Sequence, residues 1–105
     1  MTYVVEKSRR SSRDIEEAFV FIAENDLDRG IYFLVAIEDT LTLISENPSI
    51  GWERSYQNSK LTGVRNWRVK GFTKFILIYQ IDSQLNEIRL LRLVNLSRDL
   101  NQLDL

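Results

Sequence analysis

The chain has 105 residues, of which 44% are hydrophobic and 28% charged, a composition typical of one globular domain over residues 1–105. It contains no cysteine and no histidine, which excludes disulfides, thiolate nucleophiles, imidazole bases and the usual zinc ligands, so we expect no metal and no cofactor. The net charge of -1 excludes a whole-molecule attraction to nucleic acid or anionic lipid.

The first segment predicts a short strand and then an amphipathic helix. β-branched and aromatic residues favour a strand near residues 2–7. We expect Ser11 or Ser12 to cap the helix, because Ser11 and Asp14 have a spacing that resembles a capping box. Apolar residues recur at helical spacing through about residue 25; they are Ile15, Ala18, Phe19, Ile22 and Ala23.

A second helix follows a polar break. Residues 25–28 interrupt the first pattern and supply a new N-cap. Proline disfavours helix in the residue before it, so Asn47 and Pro48 predict that the helix ends near Glu46. The polar residues 49–61 are typical of a loop. The apolar positions of the second helix are Phe33, Leu34, Ile37, Leu41 and Ile44.

Three extended segments follow, with turns at Gly71 and at Asp82-Ser83. The order strand, helix, helix and three strands predicts an α+β fold. In this fold a two-helix hairpin packs on one face of a mostly antiparallel four-stranded sheet. The predicted strands are residues 64–69, 72–81 and 87–94.

The middle segment is apolar on both of its faces. One face carries Phe75, Leu77, Tyr79 and Ile81, and the other carries Ile76 and Ile78. We therefore expect both faces to be covered, although a layer of two helices covers only one. The candidates for the second cover are a second copy of the chain, a partner protein, or the C-terminal residues Leu100, Leu103 and Leu105.

The charges are separated along the sequence. Residues 1–53 carry five basic and eleven acidic residues, whereas residues 54–98 carry nine basic and two acidic residues. Such asymmetry suggests one face for an anionic partner. Alternatively, the two halves pair with each other, because exposed ion pairs are common and weak.

Several segments, in order, resemble the ParE/RelE toxin superfamily. The leucine-rich stretch 41–51, with its Asn-Pro stop, is similar to the second helix of that family. Segments 64–69 and 71–79 resemble its second and third strands, and segments 90–94 and 97–100 resemble its last strand and terminal motif. The resemblance covers nearly the whole chain, and it depends on the order and spacing of the segments together.

This resemblance implies a toxin of a type II toxin–antitoxin system, also known as a plasmid stabilisation protein. The partner would be a cognate antitoxin whose C-terminal segment wraps the toxin and covers its apolar and basic surfaces. The longest apolar run has five residues, 75–79, which is too short to cross a bilayer, so we expect no membrane association and a cytoplasmic location.

The superfamily has two branches that need different chemistry. ParE-like members trap DNA gyrase, and RelE-like members cleave messenger RNA on the ribosome. Metal-free RNA cleavage needs a base, cations and a proton donor. Glu87 is a candidate base, but the tail after Arg98 contains no tyrosine or histidine. For this branch the candidate catalytic cations are Arg65, Lys74, Arg92 and Arg98.

The missing proton donor favours the ParE-like branch, in which the protein is a binding inhibitor rather than an enzyme. A third alternative is an inactive member that only binds a partner. Trp67 has a second interpretation as a core residue, and Arg98 as a salt-bridge residue with Asp99. The predicted target- or antitoxin-binding residues are Arg65, Trp67, Arg68, Lys70, Lys74, Arg92 and Arg98.

Overall fold

The computed structural model describes residues 2–53 and 63–98. The two predicted helices and the four predicted strands are confirmed, with small changes at their ends. No helix in the described ranges is long and apolar enough to cross a membrane. The elements are β1 (Val4–Lys7), α1 (Arg9–Asn25), α2 (Leu27–Glu46), a 3-10 turn (Pro48–Ile50), β2 (Trp52–Glu53), β3 (Val64–Val69), β4 (Phe72–Asp82) and β5 (Glu87–Asn95).

The strands form one sheet in the order β1-β5-β4-β3-β2. β1 runs parallel to β5, and the other three pairings are antiparallel. The predicted α+β class and the mostly antiparallel sheet are therefore confirmed. Over residues 2–53 and 63–98 the sheet has five strands rather than four, because Trp52 and Glu53 pair with β3 inside the predicted loop. These two described residues are too few to show the alternation that identifies a strand.

The start of α1 differs from the prediction. Ser8 is the N-cap, and its hydroxyl oxygen accepts a hydrogen bond of 3.0 Å from the backbone N–H of Ser11. The Ser8 hydroxyl also donates to the backbone carbonyl of Leu91 in β5 at 3.0 Å. The prediction of a cap at Ser11 or Ser12 was wrong. The helix begins after Ser8 because the Ser8 side chain also contacts β5, which is distant in the sequence.

The boundary between α1 and α2 agrees with the prediction. The Asp26 side chain caps α2 by accepting a 3.1 Å hydrogen bond from the backbone N–H of Arg29. α2 ends at Glu46, as the following Asn-Pro pair predicts. The two helices approach closely, since a Cβ atom on Gly30 would lie 2.8 Å from the Cβ atom of Ala23.

The core confirms that β4 is covered on both faces. On the face toward the helices, Leu77 and Tyr79 are fully buried against the α2 residues Phe33 and Ile37. The other face buries Ile76 and Ile78 together with Val64 and Val94, with Leu91 and Leu96 packed against them. The proposed cover by Leu100, Leu103 and Leu105 lies outside the described residues.

A bulge in β5 brings that strand into contact with α1. Tyr79 pairs with Leu90 and Ile78 pairs with Arg92, so Leu91 has no opposite residue in the ladder. The Nε atom of Arg92 donates to the Asp14 carboxylate at 2.7 Å, and the backbone N–H of Leu93 donates to it at 3.1 Å. Asp14 therefore joins α1 to β5 instead of completing a capping box.

We expect Asp14→Ala to lower the free energy of unfolding by about 3 kcal/mol, because it removes the carboxylate of a largely buried ion pair. Glu16→Ala is the matched control: this glutamate is exposed on the same helix, and its replacement should change stability by less than about 0.5 kcal/mol. Urea unfolding of both variants measures the difference. Equal stabilities of the two variants would contradict the linking role of Asp14.

Candidate functional site

A groove of about 650 Å³ lies between α2 and the β3–β4 turn. Its volume falls within the range of ligand and peptide pockets in proteins. It is more apolar than polar, so its occupant would gain from burying hydrophobic surface. The apolar residues that line it are Leu43, Trp52, Trp67 and Val69.

The two walls of the groove carry opposite charges. On α2, Asp39 and Glu46 flank Leu43, at spacings that place all three on one helix face. Arg68 and Lys70 form the opposite wall at the end of β3. A polypeptide that lies in this groove therefore meets an acidic edge, an apolar floor and a basic edge.

Two tryptophans and an arginine form the aromatic part of the groove. The ring centroids of Trp52 and Trp67 are 6.2 Å apart, and the guanidinium of Arg68 lies 5.7 Å from the Trp52 ring centroid. Trp52 is 41% exposed, whereas Trp67 is half-buried and packs against the main core. Trp67 thus packs against the core, as one interpretation of the sequence holds, and also lines the groove; its binding role stays a prediction.

A buried threonine connects the two walls. The Thr40 hydroxyl donates to the Ala36 carbonyl at 2.6 Å and accepts a 3.1 Å hydrogen bond from the backbone N–H of Lys70. The turn after Lys70 contains Gly71 with a φ of 79°, a conformation that glycine adopts readily. These contacts fix the β3–β4 turn beside α2 and so set one end of the groove.

Arg65 lies beneath the segment 48–53, which carries Trp52 to the groove. Its guanidinium donates to the Gly51 carbonyl at 2.6 Å, to the Glu53 carboxylate at 3.1 Å and to the Ser49 carbonyl at 3.3 Å. This arrangement uses the planar fork of arginine to bind several oxygens at once. The guanidinium is thereby engaged inside the molecule.

Tyr79 holds the same segment from below. Its hydroxyl donates to the Pro48 carbonyl at 2.6 Å and accepts a 3.0 Å hydrogen bond from the backbone N–H of Gly51. Burial raises the pKa of Tyr79, and the Gly51 hydrogen bond and the charge of Arg65 oppose that increase. Tyr79 is completely buried, as expected for a residue on a covered face of this strand, and its hydroxyl adds a polar anchor.

Gly51→Ala should destabilise the protein by about 1–3 kcal/mol, because the new Cβ would lie 2.5 Å from the Tyr79 hydroxyl oxygen and break these hydrogen bonds. The backbone of Gly51 has φ -70° and ψ 151°, which suits any residue. Without that close contact, alanine would therefore raise stability by about 0.4–1 kcal/mol. Ser49→Ala, in the same segment, is the control. Urea unfolding of both variants shows whether the free energy of unfolding falls or rises. A Gly51→Ala protein that is more stable than the unaltered chain would disprove the close contact with Tyr79.

The other predicted binding residues lie elsewhere. Arg92 and Arg98 line a polar cleft of about 200 Å³ between α1 and β5, together with Asp14. Lys74 is exposed on β4, where its backbone carbonyl accepts a hydrogen bond of 2.8 Å from Leu96. Of the seven predicted residues, the structure thus brings only Trp67, Arg68 and Lys70 together in the groove.

Sequence reasoning did not identify Trp52, Leu43, Asp39 or Glu46 as site residues. One available signal was Trp52, a large aromatic residue in a polar loop, because it belongs to no amphipathic pattern that would place it in the core. The spacing of positions 39, 43 and 46 was another, since it places them on one face of the second helix.

Glu87, the candidate base, is the first residue of β5. β5 pairs with the edge strand β1, on the side of the sheet away from β2. A hydrogen bond with Glu6 raises the pKa of Glu87, and partial desolvation and the charge of Glu6 act in the same direction. In the described ranges no three histidine, cysteine, aspartate or glutamate side chains form a group that could hold a metal ion.

Glu87→Gln should raise the melting temperature at pH 7. A raised pKa means that the folded chain binds the Glu87 proton more tightly than the unfolded chain does. Protonated Glu87 therefore stabilises the fold below pH 4.5, the ordinary pKa, and this stabilisation is lost as the pH rises through the raised pKa. The amide imitates the protonated acid and removes the repulsion from Glu6. Thermal unfolding should show the gain at pH 7 and none at pH 4, with Glu16→Gln as control; an equal gain at both pH values would contradict the pairing.

The two helices and the five-stranded mixed sheet of the described residues form a RelE/ParE-like α+β fold. The sequence matches the family model of the ParE toxin of the type II toxin–antitoxin system parDE over residues 5–100. The chain belongs to this family. Comparison with curated protein sequences finds no significant match.

Solved structures show the same fold. The toxin–antitoxin complex RelBE2 from Mycobacterium tuberculosis matches with a TM-score of 0.65 at 19% identity, over 90% of this chain and 99% of that one. A chromosomal ParDE system from P. aeruginosa matches with a TM-score of 0.70 at 14% identity, over 90% and 96%. A conserved hypothetical protein from Helicobacter pylori matches with a TM-score of 0.55 at 22% identity, over 90% and 96%.

Proposed function

We propose that this ParE-family toxin inhibits DNA gyrase by binding it and that a cognate antitoxin neutralises it. The observation that carries this proposal is the groove, in which two indoles lie between an acidic and a basic wall. Tryptophan and arginine are the residues that contribute most to protein interfaces. A site of this composition is suited to binding a polypeptide rather than to breaking a bond.

The arrangement of the cations also supports a binding function. Arg65 is engaged with the segment 48–53, and Arg92 forms an ion pair with Asp14. RNA cleavage would require such cations to surround one phosphate together with a base and a proton donor. The sequence has no histidine and no tyrosine after Tyr79.

One observation favours the alternative, a ribosome-dependent mRNA endonuclease. The cleft between α1 and β5 holds Arg92, Arg98 and Asn95, all of which can donate hydrogen bonds to a phosphate. In that case the protein would be a metal-independent endoribonuclease. An inactive member that only binds its partner is the second alternative, and in each case we propose a cytoplasmic location.

A cognate antitoxin is a second polypeptide partner that the composition of the groove suits. Structural neighbours from M. tuberculosis and P. aeruginosa are a RelBE2 toxin–antitoxin complex and a ParDE system. By analogy, we propose that an amphipathic segment of a cognate antitoxin covers Trp67, Arg68 and Lys70. The reading frame next to the gene is where we expect this antitoxin to be encoded.

Induced expression of the chain alone in bacteria should arrest growth, with filamentous cells and broken DNA, because a trapped gyrase leaves its DNA substrate cut. The purified protein should inhibit supercoiling by gyrase, and co-expression of the neighbouring reading frame should restore growth. Cleaved mRNA with normal supercoiling would instead establish the endonuclease. Unaffected growth at full expression would establish the inactive alternative.

Arg68→Glu should weaken antitoxin binding at least about tenfold, because it reverses the charge of the basic wall. Arg13→Glu makes the same charge change on an exposed residue of α1, outside the groove, and should change affinity less than about twofold. Isothermal titration with the product of the neighbouring reading frame measures both. Equal affinities of the two variants would place the interface elsewhere.

A further inference from the structure

We infer that Arg65 is a positioning residue for the groove: together with Tyr79 it fixes the segment 48–53 and thereby holds Trp52 in the groove wall. This inference rests on the proposed partner-binding role of the groove. It gives Arg65 a different task from the direct contact with a partner that the sequence suggested, because its effect on binding passes through Trp52.

The two anchoring side chains act as a pair. Arg65 on β3 lies directly opposite Tyr79 on β4, so both side chains extend from the same face of the sheet. Together they bind three backbone carbonyls and one backbone N–H of the segment, those of Pro48, Ser49 and Gly51. Nearly every residue before Trp52 in this segment is thereby attached to the sheet.

Contacts on both sides of Trp52 in the sequence attach it to the sheet. Within the described residues, Trp52 pairs with Asn66 of β3. Glu53, the other residue of β2, is also bound by Arg65. In the part of the chain that the structure describes, the position of the Trp52 ring beside Trp67 is therefore supported by the contacts of Arg65 and Tyr79 before it and of Arg65 with Glu53 after it.

The Arg65→Lys variant distinguishes two roles of Arg65: positioning of Trp52 and attraction of an anionic partner by its charge. Lysine keeps the positive charge but has a single ammonium group in place of the planar fork, so it cannot bind the Gly51 carbonyl, the Ser49 carbonyl and the Glu53 carboxylate in the same geometry. If Arg65 acted by attracting an anionic partner, lysine would preserve most of the binding. If Arg65 acts through Trp52, the Arg65→Lys variant should bind the partner more weakly.

Fluorine NMR can follow Trp52 directly, because the chain has two tryptophans and 5-fluorotryptophan labelling gives two resonances. Trp67→Phe assigns them. Arg65→Lys should shift or broaden the Trp52 resonance, and Tyr79→Phe, which keeps the buried ring but lacks the hydroxyl, should do the same. Ser8→Ala removes the distant N-cap of α1 and controls for general destabilisation; it should leave the Trp52 resonance in place.

Binding of the product of the neighbouring reading frame completes the test. We expect Trp52→Ala and Arg65→Lys each to weaken binding about tenfold, and the double variant to bind about as weakly as Trp52→Ala alone. Losses that multiply to about a hundredfold in the double variant, or an unchanged Trp52 resonance in Arg65→Lys, would overturn the inference.

The same measurements separate this inference from the proposed function. If the unaltered chain binds the partner and Trp52→Ala binds equally well, the role of Trp52 and hence of Arg65 is refuted, while the toxin–antitoxin pairing stands. If the unaltered chain neither binds that partner nor arrests growth, the proposed function fails. The Trp52 resonance in Arg65→Lys and Tyr79→Phe then decides by itself whether these residues position the indole.

Discussion

The burial of β4 on both faces is the constraint on which the rest of the structure depends. Leu77 and Tyr79 on one face and Ile76 and Ile78 on the other are almost inaccessible to water. A strand of this kind is stable only between two covering layers, because exposing either face would return a row of large apolar side chains to water. The helical hairpin supplies one layer, and its close crossing at Gly30 keeps that layer compact.

Polar side chains then attach the peripheral elements to this apolar centre. Asp14 joins α1 to the bulge of β5, Thr40 joins α2 to the β3–β4 turn, and Tyr79 joins the sheet to the segment 48–53. Each contact satisfies backbone groups that lack a partner in a regular helix or sheet. The contacts of Thr40 and Tyr79 also determine where the groove opens, since its walls belong to α2, the β3–β4 turn and the segment 48–53.

The sequence predicts those features that are local. An N-cap within residues 25–28 and the end of α2 before Pro48 depend on neighbouring residues, and both predictions are confirmed. The cap at Ser8 was missed because it depends on Leu91, 83 residues away. Charge was visible in the sequence, but its use was not: Arg65 binds the segment 48–53 beneath the groove, whereas Arg68 donates to the Thr73 carbonyl at 3.0 Å and lines the groove. A basic residue in a sequence indicates that its charge needs an anionic or polar contact. Only the fold shows whether that contact lies within the same chain or in another molecule.

The division of basic residues between internal and external roles also bears on function. The fold alone does not decide between inhibitor and endonuclease, because one scaffold can carry sites of different chemistry. Arg65 binds backbone carbonyls and a carboxylate of the segment that carries Trp52 to the groove, whereas Arg92 pairs with Asp14 outside the groove. The groove itself contains two indoles and charges of both signs. A phosphate is bound by cations and neutral hydrogen-bond donors, whereas a polypeptide can match the two indoles, the acidic wall and the basic wall. The mixed charge of the groove is therefore the strongest physical reason to regard a protein as its ligand.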